Sequence, residues 1–236
     1  MRSLTAVIAA LVLTAAHAPQ QPSLLRTPDA SEFTAPAPAR TEIRVATSKG
    51  DVTLEVFRDW APLGAARFVN LVRYGYYDEC RFFRVTAGRW VQFGINGDPA
   101  IATAWRTKTL PDDPFNGHSN VRGTVAFAFA VPNGRTTQVF INLRDNSETH
   151  DKEPFVPFGR ITQGMDVIDA LTSEYGEGPG GIRAGKQDPY FAGGNAWLAQ
   201  QYPHLDYIKR ATLVGSGPAF SVGPPVSSDP RARDRR

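Results

Sequence analysis

Apolar and polar residues alternate along Phe83-Arg84-Val85, Val91-Gln92 and Gln138-Val139-Phe140-Ile141, and this alternation constrains the fold of the chain more than any other feature. Successive side chains of a strand point to opposite faces of the sheet. Phe83, Val85, Val91, Val139 and Ile141 are therefore expected to fill a core, while Arg84, Gln92, Gln138 and Phe140 share the outer face. A large aromatic ring set among polar groups on that face needs explaining.

Other segments fit the same plan. Residues 41–46 and 52–57 alternate around Lys49-Gly50-Asp51 and predict a β-hairpin. Asp59 can cap a helix starting near Ala61-Pro62; Phe68, Leu71 and Val72 then fall on one helical face, and Gly75 ends it. Residues 80–94 predict a strand pair, and residues 95–122 a long polar connection interrupted by Pro99, Pro111 and Pro114. A second helix is expected at 165–171, a loop with seven glycines at 173–194, a short helix at 195–202 and a closing strand at 207–213. The elements show no βαβ rhythm. A closed antiparallel β-barrel of about eight strands capped by two α-helices satisfies the pattern, because closure removes exposed edges.

Residues 1–18 carry Arg2, then Ala6-Val7-Ile8-Ala9-Ala10-Leu11-Val12-Leu13, then small residues with candidate cleavage sites near Ala16 to Ala18. This is the pattern of an export signal, and it is shorter than the roughly 20 apolar residues a membrane span needs. Residues 19–40, rich in Pro, Ala, Ser and Thr, are expected to form a disordered linker, and residues 215–236 a disordered basic tail. The first 40 residues contribute +1 and the last 22 contribute +2 to the formal charge of +3, leaving residues 41–214 neutral. The domain thus lacks the net basic charge of a nucleic-acid surface. The single cysteine, Cys80, excludes a disulfide within the chain and is expected to be buried and inert. The four histidines are scattered without metal-ligand spacing, Asp112-Asp113 resembles a loop acidic pair rather than a cation site, and Gly215-Ser216-Gly217 lacks the setting of a nucleophile elbow. No heptad run suggests an oligomer, so a monomer is expected.

Three ordered motifs carry a family resemblance over residues 41–214. An aromatic before Arg84, then Gly88, then Gln92 eight residues after the arginine form the first. The second is Gly123-Thr124-Val125-Ala126-Phe127-Ala128-Phe129-Ala130, a loop through Pro132-Asn133-Gly134, and Gln138-Val139-Phe140-Ile141-Asn142. The third is Phe155-Val156-Pro157-Phe158-Gly159-Arg160-Ile161, followed by Gly164-Met165-Asp166-Val167-Ile168. Together they resemble the cyclophilins, barrel-fold peptidyl-prolyl cis/trans isomerases.

The resemblance implies an isomerase acting without cofactor or metal on proline-containing polypeptides. It implies Arg84, Gln92 and Phe140 as catalytic residues, with Phe140 forming the floor of a proline pocket. Phe83, Trp90, Phe127, Ala128, Phe129, Gln138 and Phe155 are the further substrate-binding candidates. Alternation directs the rings of Phe127 and Phe129 into the barrel and leaves Ala126, Ala128 and Ala130 on the peptide side. Arg89 and Trp90 stand where the family carries a Phe and an aliphatic residue, a departure at one wall of the pocket. Two rival readings keep different functions: a catalytically weak peptide-binding module, and a lipocalin-type barrel with an apolar interior cavity.

Overall fold

The computed structural model describes residues 22–180 and 186–215. The expected export signal and, apart from Gly215, the basic tail lie outside the described residues. Eight strands, β1 Arg40–Thr47, β2 Asp51–Phe57, β3 Arg84–Thr86, β4 Trp90–Phe93, β5 Thr124–Phe127, β6 Val139–Asn142, β7 Pro157–Gln163 and β8 Ile208–Leu213, form one sheet in the order β3-β4-β6-β5-β7-β2-β1-β8. Every pairing is antiparallel. The sheet curls until its outer strands approach each other. Arg81, just before β3, bridges Tyr207, just before β8. Phe82 N–H donates to the Asp206 carbonyl and Ile208 N–H to the Cys80 carbonyl, both at 2.9 Å. Closure runs through this short contact because β3 has only three residues to offer its edge.

The helix α2, Pro62–Arg73, buries Ala65, Phe68, Val69, Leu71 and Val72, and α5, Met165–Asp169, buries Ile168. Phe68 and Ile168 reach the barrel interior alongside Val45, Leu54, Val125 and Ile141, around a void of about 20 Å³. Such a space holds a single water at most, which removes the lipocalin-type reading. The N-terminus of α2 is not capped by Asp59. Instead the Asp113 carboxylate accepts from Leu63 N–H and Gly64 N–H, both at 2.9 Å. The same carboxylate bonds the fully buried Arg135 at 2.9 Å, so the acidic pair serves as a structural clasp.

Three other expectations need correction. From residue 22 onward the stretch read as a linker packs on the domain, through α1 at Pro22–Leu25 and a 3₁₀ turn at Ser31–Phe33. Leu25, Phe33 and Ala37 are buried in the core, and three apolar residues without a period leave no sequence signature. The polar connection at 95–122 holds a helix, α3 Pro99–Trp105, capped by Asp98 on Ala100 N–H at 2.7 Å. Its Trp105 is buried and donates its indole N–H to the Leu25 carbonyl at 2.8 Å. The last helix, α6, spans Asp188–Gln201 and breaks at Gly194, where φ is 55°. Any side chain there would press on the Gly97 carbonyl, 2.2 Å from the Cβ position. The short helix expected at 195–202 is the half of α6 beyond that break. A further short helix, α4, covers Ser147–His150.

Candidate active site

The site is assembled on the outer face of β3, β4 and β6. Register sets Arg84 opposite Gln92, and Gln92 opposite Phe140, so three neighbouring strands present these side chains in one row. Arg84 Nη1 donates to Gln92 Oε1 at 2.9 Å, and Gln92 Nε2 donates to Gln138 Oε1 at 2.9 Å. The Gln138 and Gln187 amides then pair with each other at 2.9 and 3.1 Å. Arg84 also lies 5.3 Å over the Trp90 ring, and its Nε and Nη2 donate to Glu177 Oε1 at 3.1 and 2.6 Å.

Beside this polar row lies an aromatic cluster. Phe140 meets Phe155 edge-on at 5.4 Å and His150 at 5.3 Å, while Phe155 lies 4.3 Å from Phe129. Trp90 meets His150 at 5.4 Å. Polar row and aromatic cluster line one open groove of about 570 Å³, within the usual size of ligand sites. Burial pushes the His150 imidazole below its ordinary basicity; the cations of Arg144 and Arg84 act in the same direction and Asp151 opposes them. The groove therefore sets an imidazole of lowered basicity and several aromatic rings beside the Arg84 guanidinium.

Of the sequence-derived site residues, Arg84, Trp90, Gln92, Ala128, Phe129, Gln138, Phe140 and Phe155 line the groove. Phe83 and Phe127 do not. Phe127 belongs to the barrel core, 5.2 Å from Phe158. Phe83 lies under α6 against Tyr190 at 5.6 Å, in a second core cluster. Residues 82 and 83 precede the ladder of β3, so strict alternation does not yet apply and Phe82 enters the main core against Phe93 at 5.4 Å. Phe129 corrects the opposite expectation: β5 ends at Phe127, and beyond it the ring of Phe129 turns out of the barrel to the groove. Arg89 is exposed and 5.9 Å from the Trp90 ring, so Trp90 alone of that pair forms a groove wall.

The sequence reading missed His150, Glu177, Gln187, Arg106 and Phe191, of which all but Glu177 line the groove. Glu177 and Gln187 stand in or just beyond a glycine-rich stretch, where no periodic pattern distinguishes a site residue from a solvated one. Cys80 is buried, and burial pushes its thiol well above the ordinary range. Among the described residues no group of three His, Cys, Asp or Glu is placed to hold a metal ion.

The barrel interior is filled, and the candidate site is an open groove of amides, a guanidinium and aromatic rings on its outside. The family profile described as "Cyclophilin type peptidyl-prolyl cis-trans isomerase/CLD" matches residues 42–185. Similar sequences include a peptidyl-prolyl cis-trans isomerase of Acinetobacter baylyi, 30% identical over 61% of this chain and 80% of the relative. Peptidyl-prolyl cis-trans isomerase B of Escherichia coli is 31% identical over 53% of this chain and 80% of the relative. The crystal structure of a Cryptosporidium parvum cyclophilin type peptidyl-prolyl cis-trans isomerase aligns with a TM-score of 0.53 at 18% identity, covering 76% of this chain and 99% of that one. The chain belongs to the cyclophilin-type peptidyl-prolyl cis-trans isomerase family. Its substrates are proline-containing polypeptides, whose X-Pro bonds it isomerises.

Proposed function

We propose that this isomerase works through Arg84, and that it serves the folding of exported proteins. The barrier of roughly 18–20 kcal/mol to peptide rotation comes from delocalisation of the nitrogen lone pair. In the twisted state the prolyl nitrogen is pyramidal and its lone pair is localised, so a donor aimed at it stabilises that state more than either planar isomer. The observation that carries this reading is the Arg84–Gln92 hydrogen bond at 2.9 Å beside the Phe140 pocket. It supports a pre-aimed guanidinium adjoining an apolar floor for the pyrrolidine ring. In this reading Gln92 holds Arg84 and meets a substrate carbonyl, Phe140 and Phe155 seat the proline, and the backbone of Ala128 and Phe129 receives the extended peptide.

Protease-coupled isomerisation of Ala-X-Pro-Phe peptides tests the role of Arg84. Replacing Arg84 with Ala is expected to lower kcat/KM by about 10²-fold or more, the effect of losing one pre-aimed donor. An unchanged rate in a folded variant would remove Arg84 from the mechanism. A folded wild-type protein that binds these peptides without accelerating them would instead be a peptide-binding module. The export role rests on the basic and apolar pattern of residues 1–18. It predicts that protein recovered from the cell envelope begins within a few residues of Ala18, and an intact Met1 on such protein would contradict it.

A further inference from the structure

The Arg84 guanidinium has five N–H groups, and contacts among the described residues assign three of them. Nη1 donates to Gln92 on one side; on the other, Nε and Nη2 both donate to a single oxygen of Glu177, at 3.1 and 2.6 Å. The two acceptors come from opposite directions. Gln92 lies on β4, paired with β3. Glu177 lies beyond the free edge of β3, where the Gly176 carbonyl accepts from Val85 N–H at 3.2 Å, so this segment continues the sheet past its last strand.

The Glu177 segment is seated rather than loosely appended. Gly178 N–H donates to the Tyr175 carbonyl at 2.8 Å, and a Cβ on Gly180 would stand 2.4 Å from the Phe83 ring. Glu177 is not among the groove-lining residues, whereas Arg84 is. The carboxylate engages Nε and Nη2, and with Gln92 on Nη1 two guanidinium N–H groups are left over among these contacts. The pair is part-buried, with side-chain exposures of 15% for Arg84 and 29% for Glu177, so the contact is sheltered from full solvent competition.

We infer that Glu177 is a positioning residue for the isomerase reaction: it fixes the Nε and Nη2 side of Arg84 while Gln92 fixes Nη1, so that the remaining N–H groups are aimed into the groove. This inference rests on the Arg84 reading proposed above. A guanidinium held on one side only can swing about its last side-chain bonds, and small misplacements of a reacting group cost large factors in rate. Two N–H groups converging on one Glu177 oxygen hold that side of the guanidinium more closely than a single contact would.

Position and charge are separated by two conservative variants. Glu177→Gln keeps an acceptor at the same reach without the charge, and Glu177→Asp keeps the charge but withdraws the acceptor by one methylene. If Glu177 acts by positioning, Glu177→Asp lowers kcat about tenfold with KM little changed, Glu177→Gln keeps most of the activity, and the Arg84 Nε–H NMR signal broadens in the Asp variant only. In an Arg84→Ala background neither substitution has a further effect. Wild-type or faster turnover in Glu177→Asp, or a lowered melting temperature with unchanged kcat, would overturn the inference. If Arg84→Ala alone leaves turnover intact, the Arg84 reading fails first and this one with it; if Arg84→Ala abolishes turnover and Glu177→Asp does not lower it, only the role of Glu177 is lost.

Discussion

Arg84, Gln92 and Phe140 sit side by side because each occupies an outward position on one of three neighbouring strands, and a period of two is readable from sequence. His150 is different. It comes from the end of a four-residue helix and meets Phe140, Trp90 and Phe155 only in three dimensions. Its basicity is lowered by burial first and by Arg144 and Arg84 next. In the folded state the imidazole therefore binds fewer protons than in the unfolded chain between its folded value and the ordinary value of 6.5. Stability from this group is present above 6.5 and is lost as pH falls toward the lower folded value. Protonation also adds a second cation beside Arg84 inside an aromatic pocket. kcat/KM is thus expected to fall on acidification, at a pH lower than the ordinary imidazole value of 6.5, and His150→Phe should flatten that limb of the profile. An acid limb identical in both proteins would assign it to another group.

At the scale of elements, caps and loop anchors come from unexpected places. A local rule selects Asp59 for the start of α2, yet Asp113 takes the position because one carboxylate can satisfy two helix N–H groups and the buried Arg135 together. The arrangement joins α2 to the loop whose Gly134 and Thr136 line the groove. Asp113→Ala leaves a buried guanidinium short of its partner and α2 uncapped, at a cost of about 3–5 kcal/mol. Urea unfolding should show the midpoint shifted down with an unaltered slope, and an unmoved midpoint would mean that Asp112 and the Pro111 carbonyl, which also bond Arg135, suffice. The α6 helix teaches a similar lesson. Two adjacent glycines, Gly193 and Gly194, signal a break to any local reading, but the chain resumes helical geometry at once, because Tyr190, Phe191 and Leu198 are all buried in the cluster that receives Phe83.

At the scale of the molecule, residues 22–39 form an integral flap rather than a tether. Leu25 and Phe33 are buried, Phe33 stacks edge-on with Trp105 at 4.8 Å, and Asn70 donates to the Phe33 and Ala35 carbonyls at 3.2 and 2.7 Å. Burying two such side chains is worth about 1.5–3 kcal/mol each. A chain starting at residue 40 should therefore melt roughly 10 °C below one starting at residue 21, and equal melting temperatures would return the flap to the status of a linker. The antiparallel barrel, the two helices that reach its interior and the row of Arg84, Gln92 and Phe140 are legible along the chain, because each follows from periodicity within a strand or helix and from motif spacing. Tertiary contacts alone turn Phe129 to the groove, set Asp113 at the start of α2, pack residues 22–39, and bring His150 to the aromatic cluster and Glu177 to Arg84. Those outcomes depend on which segments become neighbours after closure. A carboxylate in a glycine-rich turn or a histidine at the end of one helical turn acquires its role from what it meets there.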